Sequence, residues 1–496
     1  MFAHKYLMKV IASIIFSASS FISLIFMTRY VGEAYGMMMW GMSMVAMVNT
    51  ALDMGFHSAN IKKVSEGKDI SRCVSTYLAV RIAISSLMAL IVLTISLALS
   101  YYSDGFPSEF WMVTWVFILY YVLDNILVVM TGTFIGNMDA GKESIVLTTE
   151  YLLRSVSLMI FSVMGSTAVV LSFGYIIGVV CALAVSLFLF RSLKVRLVRP
   201  AFFKEYVSFV VPLALPVMLI AVMGYIDKFM IGTYHNELEV GFYAAAAGVI
   251  YSFVTLGVVM NGLLLSHMTK LNKEGKRDEA RNTLWSAQKY LAVLMLPATA
   301  FLLIFGNETA VALFKDGFAD SGPVLSVLAV GIFLTVLAGM LAQVLLSAGH
   351  NVVFGRSAIV YTVFTIALFF VLIPGYFFDD IGGAVGAALA VVIGSALYLT
   401  LLSISAKRKG LFSIYPRLYI HLAAAGIVLA ILYCVKEHLS PSGLIPLILL
   451  AFLTLALYAV ILAIVKEITK DDIRFVRDTL SPKNIYDDLV DEMRKS

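Results

Sequence analysis

The sequence predicts an all-α polytopic membrane protein with fourteen transmembrane helices, and three features lead there. Apolar residues make up 61% of the 496 positions and charged residues only 14%, where soluble proteins have about 45–50% and about 25%. The apolar residues are gathered into fourteen long runs, with Lys and Arg confined almost entirely to the connections. A spanning helix needs about 20 residues, so the runs leave too little chain for a soluble catalytic domain. Disordered, disulfide-scaffold and ATPase classes are thereby excluded.

The spans fall near 10–30, 35–60, 73–100, 111–135, 145–165, 167–190, 207–233, 241–268, 283–305, 321–346, 357–377, 381–404, 418–435 and 444–465. The first run follows His4 and Lys5 and passes small residues at 18–20, as a signal peptide would. It continues to Met27, long enough to span, and is read as retained. An even count of spans puts both termini on one side. On that side lie 29 of the 36 cations, three lie opposite (Arg29, Lys315, Lys436), and four sit within spans. The positive-inside rule then makes both termini cytoplasmic in a cell-membrane protein. The net charge of +5 follows this loop asymmetry and implies no nucleic-acid partner.

A weak internal repeat sets the domain organisation. Phe26-Met27 returns as Phe229-Met230, and Tyr30 to Gly36 echoes Tyr234 to Gly241. Glu66-Gly67-Lys68 returns as Glu274-Gly275-Lys276, and Ala140-Gly141-Lys142 as Ala348-Gly349-His350. The repeat covers six spans, so both copies insert with one polarity and the substrate site is expected between them. The expected units are an N-lobe (1–205), a C-lobe (206–410), spans 13 and 14 (411–466) and a cytoplasmic tail (467–496). In the tail, Ser481-Pro482 reads as a helix start, and Ile485, Leu489 and Met493 line one face of a short amphipathic helix.

No enzyme motif survives inspection, and the chain reads as a non-enzyme without metal or cofactor. Gly136 to Lys142 matches the opening of a phosphate-binding P-loop, but Glu143 stands where a Ser or Thr would hold Mg²⁺. Cys73, Cys181 and Cys434 have no ligand spacing and read as small packing residues.

The informative residues are the charges inside the spans, each costing ~2.5–3.5 kcal/mol at a helix centre if it faced lipid. They are Asp53, Arg81, Asp124, Glu150, Arg154, Asp227, Lys228 and Lys289. Lys289 lies near enough to its helix end, beside Trp285, to snorkel. Asn49, Asp53 and His57 form an i, i+4, i+8 polar stripe in span 2, and the repeat maps Asp53 onto Asn261. Asp53 reads either as a titrating group or as a structural hydrogen-bond acceptor. Asp227 and Lys228 are neighbours about 100° apart on their helix. Glu150 and Arg154, at i, i+4, read as a structural ion pair or as an arginine held ready for an anionic substrate.

Several stretches resemble a known family. Arg29-Tyr30-Val31-Gly32-Glu33-Ala34-Tyr35-Gly36 and Leu52-Asp53-Met54-Gly55-Phe56 are similar to conserved-type segments of the polysaccharide-biosynthesis flippases. So are Asp227 to Gly232 with Val240 to Ala246, and Leu372-Ile373-Pro374 with Gly383 to Gly386. Val31 stands where that family usually has Leu, and Thr365 and Phe369 stand where Asn is common.

The resemblance implies the multidrug/oligosaccharide-lipid/polysaccharide (MOP) superfamily, with two six-helix lobes in a V around a central cavity, plus helices 13 and 14. It implies a monomeric flippase that moves a polyprenyl-diphosphate-linked oligosaccharide from the cytoplasmic to the outer leaflet by alternating access. Arg29, Arg81, Arg154 and Lys228 are then the candidate cavity cations. Asp53, His57, Asp124, Glu150, Asp227 and Asn261 are the candidate polar or coupling residues, for H⁺ or Na⁺. Expected partners are the lipid-linked glycan, membrane lipids, and glycosyltransferases or a polymerase of the same pathway. The alternative within the superfamily is a proton- or sodium-coupled drug or metabolite antiporter of the MATE type.

Overall fold

The computed structural model describes residues 2–102, 106–376, 382–412, 414–438, 441 and 443–467. Regular structure among the described residues is entirely helical. In chain order the helices are α1 (Phe2–Asp53), α2 (Phe56–Ser65), α3 (Ile70–Tyr102), α4 (Ser108–Gly136), α5 (Ala140–Val163), α6 (Ala168–Phe190) and α7 (Phe203–Tyr234). Then follow α8 (Glu237–Lys273), α9 (Arg277–Phe314), α10 (Ser321–Ser347), α11 (Asn351–Leu372), α12 (Gly383–Arg408), α13 (Leu418–Lys436) and α14 (Leu444–Ile464). The amphipathic helix expected after Ser481 lies outside the described residues.

Among the described residues, twelve helical segments are long and apolar enough to cross a membrane. The first, Ile15–Asp53, has 39 residues, enough for two crossings. It breaks at Val31 (φ −145°, ψ 50°), so spans 1 and 2 are joined by one non-helical residue rather than a loop. Counting both arms of α1 and adding α8, with its uncharged run 240–265, gives the fourteen spans of the sequence.

Span 2 is not one helix to residue 60. It ends at Asp53 and restarts at Phe56, because Met54 (φ 47°) and Gly55 (φ 97°) are both left-handed. Glycine takes that conformation freely, whereas a methionine loses ~1–2 kcal/mol there. At the repeat-related position α8 runs unbroken through Asn261 and Gly262.

The chain forms two compact units, and the first, Met1–Gly241, includes α7. There α7 packs on α1 and α2. The segment leading into it is laid along α3, its backbone N–H groups at Arg196, Val198 and Ala201 donating to the hydroxyls of Ser71, Ser75 and Thr76 at 3.1, 2.9 and 3.1 Å. Glu205 then accepts from both Lys68 and Lys63. Those ammonium groups, Lys68 first, hold its carboxyl below the ordinary glutamate range. The clasp is therefore complete at neutral pH and is lost as pH falls through that lowered value. At the other end of the unit, Gly36 lies so close to the α7–α8 turn that a Cβ would stand 1.9 Å from the Glu237 carbonyl oxygen.

Packing repeats between the units. In the first, α3 packs on α4, α4 on α6 and α5 on α6. In the second, α9 packs on α10, α10 on α12 and α11 on α12. The turns repeat too. Glu66 and Gly67 donate to the carbonyls of Lys62 and Val64, as Glu274 and Gly275 do to Lys270 and Asn272, an offset of 208. At the next turn the register changes. Asn137, Met138 and Asp139 donate to Thr133, Ile135 and Phe134, and their counterparts are Ala348, Gly349 and His350 donating to Val344, Leu346 and Leu345. The offset there is 211, so the likeness of Ala140-Gly141-Lys142 to Ala348-Gly349-His350 is three residues out of structural register. The P-loop-like Gly136 to Asp139 is this helix-ending turn.

Candidate functional site

Five of the charges inside the first unit, Asp53, Arg81, Asp124, Glu150 and Arg154, collect into two polar groups, and α4 stands between them. Asn125 and Asp124 are consecutive and point about 100° apart. One serves each group.

On the Asn125 side, Arg81 of α3 is buried and fully engaged. Its Nε donates to the Tyr77 hydroxyl at 2.8 Å, Nη1 to Asn125 Oδ1 at 2.9 Å and Nη2 to Asp53 Oδ1 at 2.5 Å. Asn125 passes the network on through Nδ2, which donates to Asn49 Oδ1 and to Ser85 Oγ, both at 2.9 Å. The His57 Nδ1 lies 3.4 Å from the Tyr77 hydroxyl. The stripe Asn49, Asp53, His57 thus survives the break at Met54-Gly55, because all three still face α3 and α4. A three-way fork on a guanidinium, with each acceptor itself bonded, is a rigid buried network. Arg81 has few donors left for a substrate, and Asp53 is its counter-ion.

On the Asp124 side lies a cavity of about 450 Å³ lined by α1, α4, α5, α6 and α7. Arg154 of α5 enters it beside two tyrosine rings, its guanidinium carbon 4.8 Å from the centroid of Tyr151 and 4.9 Å from that of Tyr175. Glu150, one turn earlier, holds it by a single contact of 3.4 Å from Nη1 to Oε1. The same carboxylate oxygen accepts from the Tyr120 hydroxyl at 3.4 Å. Asp124 lines the cavity and makes no hydrogen bond or ion pair with any described residue. Gly178 brings α6 against this turn of α5: a Cβ there would lie 2.8 Å from Arg154 Cβ and 2.9 Å from the Glu150 carbonyl oxygen.

The remaining candidates stand apart. Arg29 lies two residues before the break at Val31, partly exposed. Lys228 turns back onto its neighbour, with Nζ 3.2 Å from Asp227 Oδ1 and 3.3 Å from the Gly224 carbonyl. The two are buried together, and their charges offset each other. In the second unit the Asn261 amide lies against Gly339 of α10, and its Oδ1 is buried with no hydrogen-bond partner among the described residues.

Sequence reading missed the tyrosines. Tyr77 precedes Arg81 by one turn, Tyr120 precedes Asp124 by one turn, and Tyr151 follows Glu150 directly. Their spacing around the buried charges is the signal that could have found them.

Residues 26–323, more than half of the chain, match the polysaccharide biosynthesis protein family. The chain belongs to that family. No curated protein sequence matches it. Among solved structures this polysaccharide biosynthesis family member is similar to the lipid II flippase MurJ in an inward closed conformation. The TM-score is 0.73 at 12% identity, over 92% of this chain and 98% of that one. It is also similar to a multidrug resistance MATE family transporter of the MOP superfamily in an inward-facing conformation, with TM-score 0.65 at 15% identity over 79% and 94%. A MOP superfamily transporter from Pyrococcus furiosus gives 0.54 at 16% identity over 82% and 94%. The family member is a multi-pass membrane protein by its long apolar helices, and its fold is like that of these transporters.

The close approach at Gly178 yields a direct expectation for this family member. Gly178→Ala should push α6 off α5, displace Glu150 and Arg154 together, and lower at least tenfold whatever activity the reconstituted protein has. Gly355→Ala is the control, because a Cβ at Gly355 meets nothing within 4 Å. Equal activity of the two variants would remove the positioning role of Gly178.

Proposed function

We propose that the chain is a flippase that carries a lipid-linked oligosaccharide from the cytoplasmic to the outer leaflet. Family membership supports the pathway, and one structural observation carries the transport reading. Inside a membrane-spanning unit, a 450 Å³ cavity holds Arg154, with one long contact to Glu150, and Asp124, a carboxylate with no hydrogen bond or ion pair among the described residues. Charges left so in a span are costly and mark substrate or ion paths. The confinement of cations to one side supports cytoplasmic termini and a cell-membrane location. A monomer is sufficient for this reading, since the cavity lies within one unit of one chain.

A second reading is favoured by Asp124 alone. A carboxylate in a cavity with no hydrogen bond or ion pair among the described residues suits a proton- or sodium-coupled antiporter, with Asp124 as the cation-accepting group.

Two measurements test these readings. Deleting the gene should leave lipid-linked glycan in the inner leaflet, and the purified protein should move it across vesicle membranes. Efflux of organic cations without glycan movement would establish the antiporter instead. For orientation, Asn236→Cys should react with impermeant maleimide in intact cells and Lys273→Cys should not. Both positions are exposed in the structure. Reversed labelling would invert the direction of transport.

A further inference from the structure

We propose that the first-unit cavity seats sugar rings of the glycan, and that the diphosphate of the carrier stays outside it. This rests on the flippase reading above. The deciding observation is the mixture of unused donors and unused acceptors around one space. Arg154 spends only one N–H, and that on a long contact to Glu150. The hydroxyls of Tyr121, Tyr151 and Tyr175 make no hydrogen bond among the described residues. In the same lining, Asp124 offers its carboxylate as acceptor, with no hydrogen bond or ion pair among the described residues.

Three ligand chemistries can be weighed against that set. A diphosphate carries acceptors only, and two or more negative charges. It would satisfy Arg154 but share the cavity with two carboxyl groups, Asp124 and Glu150, against one guanidinium. Like charges so placed repel strongly where water is scarce. An organic cation suits Asp124 but has no acceptor for Arg154 and is repelled by it. A sugar hydroxyl both donates and accepts, carries no charge, and answers both sides at once.

Shape agrees with chemistry. The Arg154 guanidinium packs against the rings of Tyr151 and Tyr175, and its N–H groups, which lie in the guanidinium plane, form a polar edge beside them. Edge donors beside aromatic walls suit a ring with polar rim and apolar face, since aromatic side chains combine apolar bodies with polar tips. The volume lies within the ~300–1,000 Å³ of ordinary small-molecule sites. It has room for a short sugar stretch and none for a polyprenyl tail.

The test uses the purified full chain and three probes: glycan freed by mild acid from the host's lipid-linked pool, inorganic pyrophosphate, and tetraphenylphosphonium. The freed glycan should bind, and Asp124→Asn should weaken it at least tenfold while pyrophosphate binding stays unchanged. Tyr151→Phe removes a single hydroxyl without changing shape. It should weaken the glycan about fivefold and keeps the test valid if the charge variants fail to fold.

Pyrophosphate binding that Arg154→Gln abolishes, or tetraphenylphosphonium binding that Asp124→Asn abolishes, would overturn the proposal. So would intact lipid-linked glycan binding that is indifferent to Asp124→Asn and Tyr151→Phe. If instead intact lipid-linked glycan neither binds nor crosses vesicle membranes, the flippase reading itself has failed. The two failures are thus separable.

Discussion

Arg81→Leu is expected to destabilise the first unit by about 3–5 kcal/mol, the range for removing one partner of a buried ion pair. The change strands Asp53, Asn125 and the Tyr77 hydroxyl at once, since all three meet the same guanidinium. Asp53 is the less buried partner, with 24% of its side chain exposed against 5% for Arg81, which places the loss toward the lower end. Thermal unfolding in detergent, followed by loss of the monodisperse peak on size exclusion, measures it. The double variant Arg81→Leu with Asp53→Leu should recover part of the loss, because no carboxylate is then left uncompensated. Arg81→Lys should recover little, since one ammonium cannot reach three acceptors in fixed directions. An Arg81→Leu protein as stable as the parent would show that the network contributes no net stability.

Gly36→Ala should be comparably severe for a different reason. The new Cβ would meet a backbone oxygen at 1.9 Å, and the Gly241 nitrogen at 3.1 Å. Neither can rotate away as a side chain would. Overpacking typically costs ~1–3 kcal/mol, and a backbone obstacle puts this site at the top of that range. The same unfolding measurement applies, with Gly224→Ala as the reference because a Cβ there meets nothing within 4 Å. A Gly36→Ala protein indistinguishable from Gly224→Ala would mean that the α7–α8 turn can shift freely.

The helical spans were legible because the bilayer imposes a length and polarity on each one, independent of what it packs against. The pairing of Glu150 with Arg154 was legible for a similar reason, since i, i+4 contact is local to one helix. What the sequence could not reveal was contact between helices. Arg81 read as a candidate for substrate, yet Asp53 and Asn125, 28 and 44 residues away along the chain, take up its donors. Asp227 and Lys228 read as diverging neighbours, and the flexible lysine stem lets them meet. The break at Met54-Gly55 was hidden too, because a methionine in left-handed conformation runs against local preference.

The change of turn offset from 208 to 211 has a consequence for the engineering of the chain. The two halves share their turn chemistry, while the second half has three more residues than the first between the turns that follow its second and fourth spans. Three residues amount to about 300° of helix rotation and ~4.5 Å of rise, not a full turn. A chimaera that grafts one half's later helices onto the other by matching letters, Ala140-Gly141-Lys142 onto Ala348-Gly349-His350, would rotate every grafted face by that amount. Grafts joined at Met138 and Gly349, the left-handed residues of the two turns, keep the helices in phase. Such chimaeras would ask whether the second half can be taught the chemistry that the first has acquired.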